Sequence, residues 1–156
     1  IILAMKKITD INNQEILEFI SLKQSSVDVR SLILNRKIKN LPFLNKKRQK
    51  IAKFYNKNIL NKNVIKLNYS KSCVYHQYVI LVKNKNELIK KFNSKKIDFG
   101  FHYPYAIHQL AVFKKKFSGK KFKNAELLAK NGISLPIDPN LKQIELKIIV
   151  NTINAL

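Results

Sequence analysis

The sequence predicts an α+β fold: a small antiparallel or mixed sheet of about three strands, packed with helices and preceded by a long bent two-part helix. Three observations predict it. The stretch VYHQYVILV, Val74 to Val82, is rich in β-branched and aromatic residues and mostly apolar on both alternating faces, as a strand at the centre of a sheet must be. Apolar residues recur at helical spacing before and after that stretch, with capping and turn residues between the runs. The 156 residues, 46% of them hydrophobic, suffice for one domain that buries about two-thirds of the surface its unfolded chain exposes.

Residues 1–24 hold one candidate helix, capped by Asn12 or Asn13 with Ile16, Leu17, Phe19 and Ile20 as its stripe, and are otherwise unassigned. Ser25-Ser26-Val27-Asp28 then reads as a capping box, Ser25 accepting from the amide three residues on while Asp28 reaches back. The helix it opens carries Val29, Leu32, Ile33 and Ile38 on one side. Pro42 removes a backbone donor, yet the pattern continues through Leu44, Ile51, Phe54 and Tyr55. Because proline is tolerated in a first helical turn, the spacing predicts two helices, about 26–40 and 42–60, meeting at a bend near Asn40-Leu41.

Asn61 to Ser72 is polar and loop-like. After the central strand, Asn84 or Asn86 caps a short helix through Glu87, Leu88, Ile89 and Phe92. Ile97 to Tyr103 reads as a second strand, with Ile97, Phe99, Phe101 and Tyr103 on one face and Asp98 and His102 on the other, until Pro104 ends it. Ala106 to about Phe117 is helical, Ile107, Leu110 and Phe113 or Phe117 packing inward, and Ser118-Gly119 breaks it. Asn124 opens a helix from Ala125 to Asn131, for which Gly132 supplies a left-handed C-terminal cap. Ile133 to Ile137 is a short third strand, Asp138-Pro139-Asn140 a turn, and a last helix runs from about Lys142 to Ile153.

The formal charge of +22 does not by itself point to nucleic acid. Of the 31 basic residues 28 are Lys and only Arg30, Arg36 and Arg48 are Arg, while Ile and Asn number 21 and 18. Lys, Asn and Ile share codons built only from A and T, so base bias explains much of the charge. The planar fork of Arg, which suits phosphates and base edges, is nearly missing. Lys46-Lys47-Arg48-Lys50 reads as a solvated helix face. Cys73 is alone, so one chain cannot build a disulfide or a cysteine zinc site, and a reducing cytoplasm is the expected location. The longest strongly apolar run, Val79 to Val82, is far below the roughly 20 residues that span a bilayer, so no membrane is expected. The chain opens Ile1-Ile2-Leu3-Ala4 and its one Met is Met5, so either translation starts there or the sequence is part of something longer.

Chemistry-bearing residues concentrate in GFHYPYAIHQL, Gly100 to Leu110, which holds two of the three histidines. His102 and His108 stand six apart across a proline, without a carboxylate at useful spacing, which disfavours a metal. Cys73 and His76, three apart on a strand, project to opposite faces, which disfavours a cysteine hydrolase. Gly100, Gly119 and Gly132 are isolated, so no phosphate-cradling loop is present. Read from residue types alone, the cluster is either aromatic core with hydrogen-bonded histidines or a site.

As a block, FGFHYPYAIHQLAVFKKKF, then FKNAELLAKNGISLPIDPNL and a closing amphipathic helix resembles the C-terminal end of the pyridoxal-phosphate-dependent sugar aminotransferases of the DegT/DnrJ/StrS family. Those chains end with a strand into a His-Tyr-Pro turn, a second His before a helix, an Asn-Ala-Glu helix, a Ser-Leu-Pro strand, a His-Pro or Asp-Pro turn and a final helix. VYHQYVILVKNKNELIKKFNSKKI resembles the family's His-containing strand and following helix, and VDVRSLILNRKIKNLPFLNKKRQKIAKFYNKNIL its long two-part helix. The resemblance covers residues 25–156 and implies an aminotransferase C-terminal small domain there, with 1–24 a remnant of the junction to a large domain. It places His102, Tyr103 and His108 at the edge of the sugar-nucleotide pocket as substrate-binding residues. The implied reaction moves an amino group from an amino acid such as glutamate to a keto-sugar nucleotide.

The family's cofactor-binding elements precede the matched region. Neither Lys23 nor Lys71, each beside serines, has the aromatic, glycine-flanked setting of a Schiff-base lysine. Where the family carries Asn-x-Arg before the long helix, this chain has Lys23-Gln24-Ser25, and Lys7-Ile8-Thr9-Asp10 lacks the glycine run expected after the lysine. Pyridoxal phosphate is therefore expected in the complete enzyme and not on this chain alone, which is expected to need a large domain or a homodimer partner. A non-catalytic binding or assembly remnant is the alternative, and a basic nucleic-acid binder ranks third.

Overall fold

The computed structural model of the protein describes residues 26–70 and 72–156, the first four of these by their backbone alone. The helix predicted within 1–24, the side chains of the Ser25 to Asp28 cap, Lys23 and Lys71 lie outside the described residues. Two compact units divide the chain between Leu44 and Asn45.

The first element is one helix, α1 (Ser26–Asn58), where the spacing predicted two. Pro42 lies inside it and withdraws a single bond, the one its amide would have donated to Ile38. Ile38, Leu41, Pro42 and Phe43 are all exposed, so water can satisfy the freed carbonyl and the flanking bonds carry the helix through. In the second unit the helix turns Ile51, Ala52, Tyr55 and Ile59 into the core.

A three-stranded antiparallel sheet forms the centre, in order β1 (Val64–Lys66), β2 (Tyr78–Val82), β3 (Gly132–Leu135). β2 is central, as predicted, and buried at every position. Val64 faces Val82, and Tyr78 and Ile80 face Leu135 and Ile133. Tyr78, Ile80 and Val82 point to the main core with Ile133 and Leu135. There they meet α1, α2 (Lys85–Ser94) through Leu88 and Phe92, and α5 (Gln143–Asn154) through Leu146, Ile149, Val150 and Ile153. With a strand period of two, Val79 and Leu81 face the other way, where α4 (Lys123–Asn131) covers the sheet with Ala129.

β1 was not expected within the polar run 61–72. It is three residues long with one buried position, too short for an alternation pattern. Its Lys66 ammonium donates to the carbonyls of Asn56 (2.8 Å) and Ile59 (2.9 Å), closing the C-terminal end of α1 with a cation where the helix dipole favours one. Asn154 completes that closure from α5, accepting from the Leu60 amide (2.9 Å) and donating to the Asn58 carbonyl (2.9 Å).

The predicted strand at 97–103 is a single bridge. The Ile97 amide is tied to the Phe92 carbonyl at the end of α2, and only Gly100 pairs with Ser134, by two backbone bonds of 3.1 and 2.8 Å. The predicted helix at 106–117 is reduced to a 3₁₀ turn, Ile107–Gln109, and one short helix, α3 (Ala111–Lys114). Ile107 and Leu110 do not pack inward, being 68% and 43% exposed, whereas Phe117 is half-buried with its ring edge-on to Phe122. Gly132 is no left-handed cap but the first residue of β3, in extended backbone. It is required for another reason, since a Cβ there would run into the Leu128 carbonyl oxygen. Among the described residues no helix is long and apolar enough to cross a membrane.

Candidate functional site

The loop from Gly100 to Leu110 is held at its two ends by different elements. At the first end the His102 Nδ1 lies 2.8 Å from the Ser134 hydroxyl of β3, which leaves Nε2 for another partner. Gly100 makes room for this ring, for a Cβ at that position would stand 2.8 Å from His102 Cε1. Tyr103 follows, 73% exposed, its ring edge-on to His102 with centroids 5.9 Å apart. His102 thus sits at the surface, anchored through one nitrogen.

At the other end His108, in the 3₁₀ turn, places Nε2 3.0 Å from Glu126 Oε1 of α4, and its ring packs on Phe122 at 4.8 Å. The same oxygen accepts the Phe122 amide (2.9 Å), so one carboxylate closes the start of α4 and fixes the second histidine. The Phe122 amide bond, ahead of the His108 contact, holds the Glu126 carboxyl below its ordinary pKa. The structure therefore brings His102 and Tyr103 into contact and gives His108 a separate anchor. Ser134 and Glu126 were not recognised from sequence as partners of the histidines. Their signals were a hydroxyl inside a buried strand and the acid of the Asn-Ala-Glu run.

Beside His102 lies a cleft of about 240 Å³, lined among others by His76, Gln77, Asp98, Gly100 and Ser134. Cys73 and His76, weighed as a nucleophile and its base, are not bonded to each other among the described residues; Cys73 Sγ accepts from the Tyr75 amide at 3.4 Å. No cluster of three metal-ligating side chains occurs among the described residues.

A pyridoxal phosphate site needs a lysine amine for the Schiff base and a carboxylate for the pyridine nitrogen. Lys85 has a pKa lowered by burial, but its ammonium donates to the Ala129 carbonyl (3.3 Å) and lies 4.9 Å from the Phe101 ring centre. Asp98 lines the cleft beside His102, to which Lys85 does not contribute, and the other carboxylates with described side chains have partners of their own. Glu87 binds Asn84 and Lys91, Glu126 binds His108 and the Phe122 amide, Glu145 the Lys142 amide, and Asp138 the Asn140 amide. The described residues do not assemble a pyridoxal phosphate site.

The model of the DegT/DnrJ/EryC1/StrS aminotransferase family matches residues 13–154, and the chain belongs to that family. Over 129 residues it is 25% identical to the dTDP-3-amino-3,6-dideoxy-α-D-galactopyranose transaminase of Aneurinibacillus thermoaerophilus, covering 81% of this chain and 35% of that protein. An uncharacterized protein of Methanocaldococcus jannaschii is 27% identical over 145 residues, covering 86% of this chain and 37% of its own. DesV of S. venezuelae, solved with a ketimine intermediate, superposes with a TM-score of 0.77 at 19% identity, over 81% of this chain and 35% of DesV. The chain spans a little over a third of the length of these relatives.

Proposed function

We propose that this chain is the C-terminal, substrate-side domain of a sugar-nucleotide aminotransferase, one that moves an amino group from an amino acid such as glutamate to a keto-sugar nucleotide. The family match over residues 13–154 carries this reading. Pyridoxal phosphate supplies the chemistry that carries the amino group, and the lysine and acidic residue that hold it come from the remainder of such an enzyme, in the same polypeptide or in a partner subunit. By itself the chain binds and orients but does not catalyse, and it works in the cytoplasm.

In this reading His102, Tyr103 and His108 contact or frame the sugar nucleotide. His102 is suited to it because the Ser134 hydroxyl holds the ring through Nδ1 while the residue remains exposed. Tyr103 offers an exposed phenol, and the Glu126 anchor of His108 sets the path of the turn between them. The second reading, a non-catalytic module that pairs with another aminotransferase subunit, is favoured by one observation, the engagement of Glu87, Glu126, Asp138 and Glu145 with partners inside the domain.

The assignment is tested in a hybrid in which this domain replaces the matched region of the A. thermoaerophilus transaminase. Alanine at His102 should raise KM for the sugar nucleotide about tenfold, as for one lost hydrogen bond to substrate, and leave KM for the amino donor unchanged. Equal effects on both constants, or none, would remove His102 from the substrate side.

A further inference from the structure

The cleft beside His102 is lined by a second imidazole, that of His76. β2 enters the sheet at Tyr78, paired with Leu135, so His76 and Gln77 run alongside Pro136 and Ile137 at the cleft margin. The backbone leading there is fixed: Tyr75 has φ 53, a conformation rarely adopted by a bulky residue, with its ring 5.1 Å from Tyr69 and 6.1 Å from Tyr78. A strained residue locked by aromatic packing thus aims the next one, His76, at the cleft. His76 is exposed, and among the described residues no hydrogen bond engages either of its ring nitrogens or His102 Nε2.

The remaining lining groups define what fits. Asp98 is an acceptor when ionised, Gln77 offers both donor and acceptor, and each imidazole can do either. That set suits adjacent hydroxyls. A diphosphate would meet the Asp98 carboxylate as a like charge. The volume, about 240 Å³, is below the roughly 300–1,000 Å³ of sites that enclose a drug-sized ligand, so it takes one ring and leaves the nucleotide outside.

The geometry points to His76 as a further substrate-side residue, one that together with His102 holds the hydroxyls of the sugar ring in this cleft. This rests on the reading of His102 as a residue facing the sugar nucleotide.

The test uses the full chain with ¹⁵N-labelled histidine, titrated with dTDP-glucose and, separately, with dTDP. Expected is that the ring signals of His76 and His102 move together with dTDP-glucose, saturate with one Kd, and respond little to dTDP. His76→Ala should weaken dTDP-glucose binding about tenfold, and His76→Gln, which keeps a donor and an acceptor, should restore part of it. Because His76 is exposed, the backbone amide signals of Val79 to Val82 in uniformly ¹⁵N-labelled samples serve as the check that both variants are folded. Movement of His102 alone overturns the role of His76 and leaves the proposed function standing. Movement of neither ring overturns both, and equal movement with dTDP overturns the assignment of the cleft to the sugar.

Discussion

Gly100 and Gly132 both stand where a side chain would collide, but with neighbours of different stiffness. At Gly132 the obstacle is the Leu128 carbonyl oxygen, part of the backbone where α4 turns into β3, and neither can retreat without moving the sheet. At Gly100 it is the His102 ring, the far end of a side chain that can swing away at the expense of its bond to Ser134. Gly132→Ala should therefore lower the unfolding free energy by about 1–3 kcal/mol, the usual range for overpacking, as read by urea denaturation. Gly100→Ala should cost less stability but shift the His102 ring signals, showing loss of the Ser134 contact. The reverse ranking would contradict the geometry at both sites.

Pro42 sets the expectation for α1. If the helix runs unbroken through residues 38–46 with its exposed face in water, Pro42→Ala restores one intrahelical bond and removes the ring, stabilising the helix by up to about 3 kcal/mol. Far-UV circular dichroism should show more helix and a higher melting temperature, and an unchanged or lower one would mean that the proline meets a conformation the helix needs. What the sequence disclosed at this level follows physical lines. β2 was legible because five consecutive buried positions demand a run of Tyr, Val, Ile and Leu that few other structures require. The strand at 97–103 was misread because its alternation is real for Ile97 and Phe99, both partly buried against the core, but breaks beyond them. Gly100 alone pairs with Ser134 through its backbone, and after it the chain bonds to Ser134 through the His102 ring. The helix at 106–117 failed because most of its expected inward stripe has no core to face, Ile107 being 68% and Leu110 43% exposed. Of the site, the His102 to His108 cluster stood out by composition, whereas its anchors are long-range contacts: Ser134 is 32 residues from His102 and Glu126 is 18 from His108.

Across the whole molecule, the core joins α1 to the sheet through tyrosines. Tyr55 donates to the Pro136 carbonyl (2.7 Å) and Tyr78 to the Asn56 side chain (2.6 Å), with their rings 5.1 Å apart. Burial raises both phenols well above the ordinary 10.0, the charge of neighbouring tyrosines adding to it. The unfolded chain releases these protons near pH 10 while the folded chain retains them, so the stability they contribute is full below about pH 10 and is lost as the pH rises beyond it. The denaturation midpoint should fall steeply there, with the tyrosinate absorbance of two of the six tyrosines appearing only on unfolding. Ordinary titration of all six without loss of structure would contradict this packing. In the proposed function the loop of His102 and His108 forms one edge of a larger site, in a chain that spans a little over a third of its relatives. Amino transfer by the hybrid with the A. thermoaerophilus transaminase tests that most directly. Formation of dTDP-3-amino-3,6-dideoxy-α-D-galactopyranose by the hybrid, at a rate that His102→Ala sharply reduces, is the expected result. A folded, cofactor-loaded hybrid that forms no product where the parent enzyme does would contradict it.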